Sequence, residues 1–244
     1  QRVARETLDY VLREMTGEQG GFYSSEDADS EGEEGRFYVW TFGEIQEVLG
    51  RERGAEAFSR VYGVSERGNF EGRSILNLPR PAAAWAQEFG LDPDQLEREL
   101  DESRARLLAA RCRRVRPFRD DKVLTGWNGL AIEAFALAGA ALGEARYLEA
   151  AARAADFLDT FLRDHQGRLL HCRRAEQASH PAYLEDHAAL ACGLVGLYEA
   201  SFDERKELES HALCQFTSRF FSEGESQDFT GCGEPVGNEP DDAV

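Results

Sequence analysis

Residues 130–142 read LAIEAFALAGAAL, and residues 188–198 read AALACGLVGLY. Each stretch is apolar on nearly every side of a helix, a pattern typical of helices that neighbours cover on several sides. Each is followed after a short turn by a segment with one apolar and one polar face, at 144–163 and at 203–221. A buried helix followed by a half-exposed helix, twice over, predicts two concentric layers of helices.

Capping residues mark the starts of two more helices. Asp92 can cap a helix that has Pro93 in its first turn and runs to about residue 114. Thr41 and Glu44 match a capping box, which predicts a short helix to about Leu49. The other long stretches lack helical periodicity and are predicted to be loops: 24–36, 63–81 and 115–126.

Short extended pieces follow three of the outer helices, at 20–23, 167–170 and 227–230. In each place an outer helix ends, an extended piece follows and a polar loop begins. This repeat favours a toroid of helical hairpins whose loops gather at one end, with a plain helical bundle as the alternative. The predicted fold class is therefore all-α, with short strands only near 21–24, 36–39 and 168–172.

The bulk composition argues against several function classes. The formal net charge is −18, so the surface repels phosphate backbones and nucleic-acid binding is not expected. No apolar run of about 18 residues and no signal peptide is present, which argues against a membrane span or secretion. The five cysteines are scattered without a C-x-x-C pair, so reduced thiols, no bound metal and a cytoplasmic location are expected. The chain begins at Gln1 and its one methionine is Met15, which suggests an internal fragment or a processed product.

The acidic stretch 26–35 has part of the spacing of a calcium loop. Alternate oxygens from Asp27 and Asp29 could face one cation, but the twelfth position is Tyr38, where calcium needs a bidentate Glu. Tight calcium binding is therefore not expected. Glu26, Asp27 and Asp29 either form a solvated acidic turn or line the rim of a cleft beside neighbouring aromatic residues.

The segment 116–129 leads into the first buried helix, so its polar groups are expected at the mouth of the toroid. Asp120 and Asp121 are candidates for an acid, a base or a hydroxyl acceptor. Trp127 offers a flat apolar face, and Asn128 offers both a donor and an acceptor. The alternative is structural, with Asp121 paired to Lys122 and Asn128 capping the helix.

The second buried helix opens with Glu185, Asp186 and His187. Acidic residues in a first helical turn commonly interact with the helix dipole. Neighbouring residues of a helix diverge by about 100°, so at most one of Glu185 and Asp186 faces a cleft. His187 is interpreted as a structural histidine.

Three segments carry a family resemblance: GGFYSSEDADSEGEEGRFYVWT at 20–41, DDKVLTGWNGLAI at 120–132 and YLEDHAALACGLVGLYEA at 183–200. They resemble the thioredoxin-domain-containing family that includes spermatogenesis-associated protein 20. The resemblance implies an N-terminal thioredoxin-like domain, expected outside this chain, and an (α/α)6 toroid like those of six-hairpin glycosidases and sugar epimerases. Phe118 stands where relatives often have His, and His187 stands where Tyr is common, so no acid–base role is carried over to these positions.

The resulting expectation is one toroid domain, 1–244, incomplete at both ends, that acts on carbohydrates as an isomerase, an epimerase or a glycoside-processing enzyme. No cofactor is expected, and the expected partners are a saccharide and the thioredoxin-like domain of the same protein. The alternative is a non-catalytic scaffold or binding module for that domain. The candidate catalytic residues are Asp121, Asp120 and Glu185, and the candidate substrate-binding residues are Trp127, Asn128, Glu26, Asp27 and Asp29.

Overall fold

The computed structural model describes residues 1–50 and 53–222, and this part of the chain divides into two compact units. Unit 1 combines residues 1–25 with the stretch that begins at Asp121, and unit 2 consists of Glu26–Asp120. Unit 2 is thus an insertion in the sequence of unit 1. That residues 1–244 form one toroid domain remains a prediction.

The described residues are mainly helical, with short strands between the helices, which confirms the all-α prediction. Within residues 1–50 and 53–222, no helix has the length and apolar composition needed to cross a membrane. In chain order the elements are α1 (Arg2–Glu14), β1 (Ser25–Glu26), β2 (Asp29–Ser30), β3 (Glu33–Glu34), α2 (Phe42–Leu49), α3 (Arg53–Val61), α4 (Ala82–Phe89), α5 (Pro93–Arg111), β4 (Arg119–Asp120), β5 (Val123–Leu124), α6 (Thr125–Leu142), α7 (Ala145–Phe161), β6 (Leu170–Arg174), β7 (Gln177–Pro181), α8 (Leu184–Ser201) and α9 (Glu204–Ser222).

The predicted caps hold their helices as expected. The hydroxyl of Thr41 accepts the Glu44 N–H (3.2 Å) while the Glu44 carboxylate accepts the Thr41 N–H (2.7 Å), which starts α2. The carboxylate of Asp92 caps α5, and Pro93 occupies its first turn. Helix α6 begins at Thr125, several residues before its apolar run, so the polar residues in front of that run belong to its first turn.

The strand predicted at 36–39 is wrong. These residues lie in and just after a turn, in which the N–H of Tyr38 donates to the C=O of Gly35 (2.7 Å). The turn buries Phe37 and leaves Tyr38 exposed. An alternation of buried and exposed aromatic residues is therefore produced by a turn, although it also suits a strand.

The other predicted extended pieces have different outcomes. The piece at 21–24 contributes one isolated bridge, between Phe22 and Thr16. The strand predicted at 168–172 is β6, which pairs antiparallel with both β5 and β7. The piece at 227–230 lies outside the described residues.

In unit 1, α1, α6, α7 and α8 surround one core. Helix α7 turns back on α6 after Gly143, which has a positive φ of 68°. Tyr147 of α7 is fully buried, with its ring edge against Phe135 and its hydroxyl donating to Asp9 of α1 (2.9 Å). Burying a side chain of this size stabilises the fold by roughly 1.5–3 kcal/mol. Through these two contacts Tyr147 connects α7 to both α6 and α1.

Unit 2 has a core of its own, built by α2, α3, α4 and α5. Its fully buried side chains include Ile45, Phe58 and Leu96. Ile45 lies in α2, Phe58 in α3 and Leu96 in α5, and Trp85 of α4 joins the same cluster, so the four helices depend on one another for burial. Together with the unit 1 core, this gives the chain two separate sets of buried apolar residues.

The acidic stretch forms a tight hairpin within unit 2. Strands β2 and β3 pair antiparallel, with Asp29 opposite Glu34. The two residues between them, Glu31 and Gly32, have positive φ values of 54° and 78°. Two consecutive left-handed residues are what a two-residue hairpin turn requires, and this accounts for the Glu-Gly pair at the tip.

Candidate functional site

The first turns of α6 and α8 lie side by side in unit 1. A Cβ built on Gly126 would lie 2.9 Å from the carboxylate of Asp186, and one built on Gly129 would lie 2.5 Å from the backbone of Ala189. A Cβ on Gly193 would meet the carbonyl oxygen of Gly129. Because these contacts advance in the same direction along both helices, α6 and α8 run parallel and their N-termini lie at the same end.

One buried carboxylate joins three elements at that end. Asp186 is 2% exposed and accepts the N–H of Gly126 at the start of α6 (2.9 Å). It also accepts the N–H of Tyr183, the residue before α8 (2.9 Å), and lies 2.8 Å from Nδ1 of His171 on β6. Two helix N-termini favour a negative charge at this point, since their free N–H groups and dipoles face it.

The side chain of His171 is oriented by this contact. A carboxylate is an acceptor, so Nδ1 donates in this contact and Nε2 is the nitrogen left for another partner. The ring meets the edge of Tyr183 (4.9 Å between centroids) and is 26% exposed. Within the described part of the chain, Nε2 makes no hydrogen bond. A histidine held by a buried carboxylate at one nitrogen and open at the other has the geometry of a general base.

The strand that carries His171 is itself fixed to α6. The hydroxyl of Thr125, the first residue of α6, donates to the C=O of Leu170 (2.6 Å). Leu124 pairs with Cys172 in the β5–β6 ladder. The residues on both sides of His171 are therefore bonded to the start of α6, which limits the positions its ring can take.

Two of the sequence-predicted residues lie beside this junction. Trp127 follows Gly126 in the first turn of α6, and 59% of its surface is exposed. Glu185 precedes Asp186 in the first turn of α8 and is exposed. As expected, only one of the two adjacent acids is buried in the helix contact, and the other faces outward.

Asp121 lies at the start of the same strand pair. Its carboxylate is 3.5 Å from the guanidinium of Arg174, at the end of β6, and both side chains are substantially exposed. An exposed ion pair of this kind contributes at most about 1 kcal/mol. The carboxylate of Asp121 is therefore accessible, although it is partly engaged in bracing β6.

Asn128 has a different environment from Trp127. It is 1% exposed, and its amide bonds to both backbone groups of Phe22, accepting the N–H (2.8 Å) and donating to the C=O (2.9 Å). It also donates to the C=O of Leu124 (3.0 Å). Asn128 therefore does not cap α6, whose N-cap is Leu124, but joins the helix to the backbone at Phe22. With its amide engaged in this way, Asn128 is not among the residues proposed to contact a ligand.

The remaining candidates belong to unit 2. Glu26 accepts a hydrogen bond from the hydroxyl of Tyr38 (2.7 Å). Asp27 accepts the N–H of Asp29 (3.3 Å), which stabilises the entry to the acidic hairpin. Asp120 is half-buried at the end of β4. That these four residues share a pocket with Asp121, Trp127 and Glu185 remains a prediction.

Sequence reasoning did not identify His171, and it treated Asp186 only as the alternative to Glu185. The available signal was an acid in the first turn of a predicted helix; in α8, which begins at Leu184, Asp186 is the third residue, where an acid often bonds back to the N-cap N–H. No spacing rule links that position to a residue of the preceding strand. His171 and Asp186 are 15 residues apart and meet because the β6–β7 hairpin folds back.

Comparison with known proteins finds relatives for most of the chain. Spermatogenesis-associated protein 20 of Homo sapiens is 34% identical over 232 residues, which cover 82% of this chain and 30% of that protein. The Mus musculus protein of the same name is also 34% identical over 232 residues, covering 82% of this chain and 29% of that protein. The chain thus spans less than a third of the length of these curated relatives. No family model matches it.

Two solved structures are loosely similar. The cellobiose 2-epimerase from Bacillus thermoamylovorans B4167 is 12% identical with a TM-score of 0.38, covering 88% of this chain and 53% of that one. A GH76 α-mannanase of Bacteroides thetaiotaomicron is 13% identical with a TM-score of 0.39, covering 89% and 70%. Scores this low carry no argument about activity.

Proposed function

Since the chain belongs to the family that includes spermatogenesis-associated protein 20, we propose that unit 1 is part of a carbohydrate-processing toroid in that family. The saccharide contacts the neighbouring first turns of α6 and α8. One observation carries the proposal: buried Asp186 holds the ring of His171 beside two helix N-termini. The exposed Trp127 directly follows Gly126, whose N–H donates to that carboxylate.

The chemistry suited to this arrangement is proton transfer. Nε2 of His171 takes the proton from C2 of an open-chain aldose, and the proton of the C2 hydroxyl passes through water to the carbonyl oxygen on C1. Return of the carbon proton from His171 to C1 gives the ketose, whereas return of a solvent proton to the opposite face of C2, with the hydroxyl proton passing back, gives the epimer. This is isomerisation or epimerisation without a cofactor. Asp186 acts through His171 as a positioning residue. A positioned base of this kind contributes roughly 10²–10⁴-fold to a rate.

The accessible sequence-predicted residues supply binding in this proposal. Trp127 presents an apolar face on which a sugar ring can stack. The carboxylates of Glu185 and Asp121 can accept hydrogen bonds from sugar hydroxyls. A glycosidase would need two carboxyl groups about 5–5.5 Å or 6.5–9.5 Å apart. Because Asp186 is already committed to three N–H groups, the dyad favours isomerase or epimerase chemistry over glycoside hydrolysis.

A second candidate function is a non-catalytic scaffold for a thioredoxin-like domain elsewhere in the whole protein. It is supported by the ion pair of Asp121 with Arg174 and by the full commitment of Asn128 to the backbone. Both contacts brace the connections to α6. In that case the polar residues at the helix starts stabilise the fold, and the chemistry lies outside this chain.

The test uses the full-length protein with a panel of aldoses, ketoses and disaccharides. Binding is followed by thermal shift, and turnover by incorporation of deuterium from the solvent into the sugar. His171→Gln should lower turnover about 10²-fold or more while binding is retained. His165→Gln, at an exposed histidine of unit 1, is the matched control and should behave as the wild type.

Two further variants separate binding from catalysis. Trp127→Ala should raise KM with a smaller effect on kcat, because stacking holds the sugar before and during the reaction alike. Asp121→Asn should remove binding or turnover without unfolding the protein. If no sugar binds the wild type, the scaffold function replaces this proposal. If sugars react and His171→Gln is as active as His165→Gln, the assigned base is wrong.

A further inference from the structure

Unit 2 contains a cavity of about 300 Å³ with an unusual charge for this protein. We call it the arginine pocket. Four guanidinium groups face two carboxylates there, which leaves an excess of positive charge in a chain with a net charge of −18. The charged lining residues are Arg36, Arg73, Arg113, Arg114, Glu31 and Glu44.

Arg114 is the structural member of the pocket. Its Nη1 donates to the C=O groups of Phe37 (3.1 Å) and Val39 (2.8 Å), and its guanidinium lies 3.9 Å from the ring centre of Trp40. Burial lowers the pKa of Arg114, and the neighbouring arginines act in the same direction against the opposing effect of Glu44. Arg114 is therefore engaged mainly in holding the backbone at Phe37 and Val39.

Both carboxylates of the pocket are already engaged. Glu44 accepts the N–H (2.7 Å) and the hydroxyl (3.0 Å) of Thr41 in the capping box of α2, and lies 3.3 Å from Nη2 of Arg114. Glu31 lies 3.0 Å from Nε of Arg36, and Nη1 of the same arginine donates to Glu33, outside the lining (2.7 Å). Neither carboxylate therefore has much capacity left to neutralise the other two arginines.

Arg73 and Arg113 are the guanidinium groups with donors to spare. Arg73 approaches Glu44 only to 3.9 Å. Its backbone is held by a tight turn, in which its N–H donates to the C=O of Phe70 (2.8 Å) and Gly72 has a φ of 77°. The Gly-Asn-Phe-Glu-Gly motif at 68–72 thus fixes the position of Arg73. Arg113 is exposed, and its side chain makes no hydrogen bond or ion pair with the rest of the described chain.

We propose that the arginine pocket binds the phosphate group of a phosphorylated small molecule, with Arg73 and Arg113 as its side-chain donors. A phosphate group has three acceptor oxygens, and guanidinium forks pair with two of them at once. The cavity is large enough for the group and a short organic part. A nucleic-acid chain is disfavoured, because the remainder of the surface is strongly acidic. The site is independent of the saccharide proposal for unit 1.

Calorimetry at constant ionic strength tests the proposal, with inorganic phosphate and glycerol 3-phosphate as probes and chloride as the reference anion. Both probes should bind saturably at one site. Arg113→Gln and Arg73→Gln should each weaken binding by roughly tenfold or more, since each removes a charge-assisted fork. Arg98→Gln changes the net charge equally at an exposed position of α5 and should bind as the wild type does. Circular dichroism verifies that all three variants are folded.

The two probes distinguish the source of the phosphate. Tighter binding of glycerol 3-phosphate identifies an ester as the ligand, and equal binding identifies the phosphate group alone; either result supports the site. The proposal is wrong if phosphate binds no better than chloride, or if all three variants weaken binding equally. Binding of a single-stranded oligonucleotide without binding of either small probe would also overturn it.

Discussion

A carboxylate leaves water at low cost only when hydrogen bonds replace its hydration, and Asp186 receives N–H groups at 2.9, 2.9 and 2.8 Å. Asp186→Asn keeps the shape of the side chain but removes its charge and places an NH2 group opposite one of these N–H donors. We expect the free energy of unfolding to fall by about 1.5–3 kcal/mol. Glu185→Gln, at the adjacent exposed position, should change it by less than about 0.5 kcal/mol. Urea unfolding of the two variants measures the difference, and equal values would contradict the role assigned to Asp186.

These two adjacent acids also show how much of the site can be predicted from the sequence. Helical geometry predicts that Glu185 and Asp186 face different directions, and the structure agrees. The exposure of Trp127 agrees with the predicted position of its segment at the mouth of the toroid, although the neighbouring Asn128 is buried. The contact of Asp186 with His171 cannot be predicted from the sequence, because the position of His171 depends on how the β6–β7 hairpin folds back. The burial of Asn128 depends in the same way on Phe22, 106 residues away.

Between elements, the close approach of α6 and α8 depends on glycine. Alanine is the better helix former by about 1 kcal/mol, so propensity alone predicts that Gly129→Ala stabilises α6. A Cβ there would lie 2.5 Å from the backbone of Ala189, which cannot rotate away. We expect Gly129→Ala to destabilise the protein by about 1–3 kcal/mol. Gly54→Ala, at a helical glycine with open space around its Cβ position, should be neutral or slightly stabilising in the same thermal unfolding assay. Stabilisation by Gly129→Ala would show that the helices can separate without cost.

The helices are predicted better than the strands for a physical reason. The periodicity of α7 and the capping residues of α2 and α5 are local signals, and these helices match the predictions closely. Strand pairing is set by distant partners. The hydrophobic pattern at 36–39 fits a strand, but the left-handed glycine at 35 starts a turn there. Helices α3 and α4 flank the predicted loop 63–81, and no prediction covers them, because their apolar residues gain burial only within the unit 2 core.

Across the whole molecule, arginines hold carboxyl pKa values low at separate places. Hydrogen bonds from Arg80 keep the pKa of Glu88 below its ordinary value of 4.5, and those from Arg5 and then Arg146 do the same for Glu144. A carboxyl with a lower pKa in the folded state adds stability above its unfolded pKa, and this is lost as the pH falls through the folded value. We expect the urea midpoint to change little from about pH 8 to about pH 5.5 and to fall below about pH 4.5.

Single variants show whether these carboxyls cause the acid transition. Glu144→Gln should lower the urea midpoint at neutral pH and make the loss below about pH 4.5 shallower. Glu149→Gln, at an exposed position one turn further along α7, is the matched control. If both variants give the wild-type pH profile, the contacts of Glu144 with arginine do not contribute to acid stability.

The insertion of unit 2 between α1 and the rest of unit 1 has a consequence for the order of events on the ribosome. Tyr147, whose hydroxyl binds Asp9 of α1, is added 138 residues after it. At roughly 5–20 residues per second, α1 waits about 7–28 s for this partner. A helix of 13 residues is marginal by itself in water, so α1 spends that time largely unfolded. Unit 2 is continuous in the sequence, so its core is fully synthesised while the core of unit 1 still lacks α6, α7 and α8. Of the two units, the inserted one can therefore fold first.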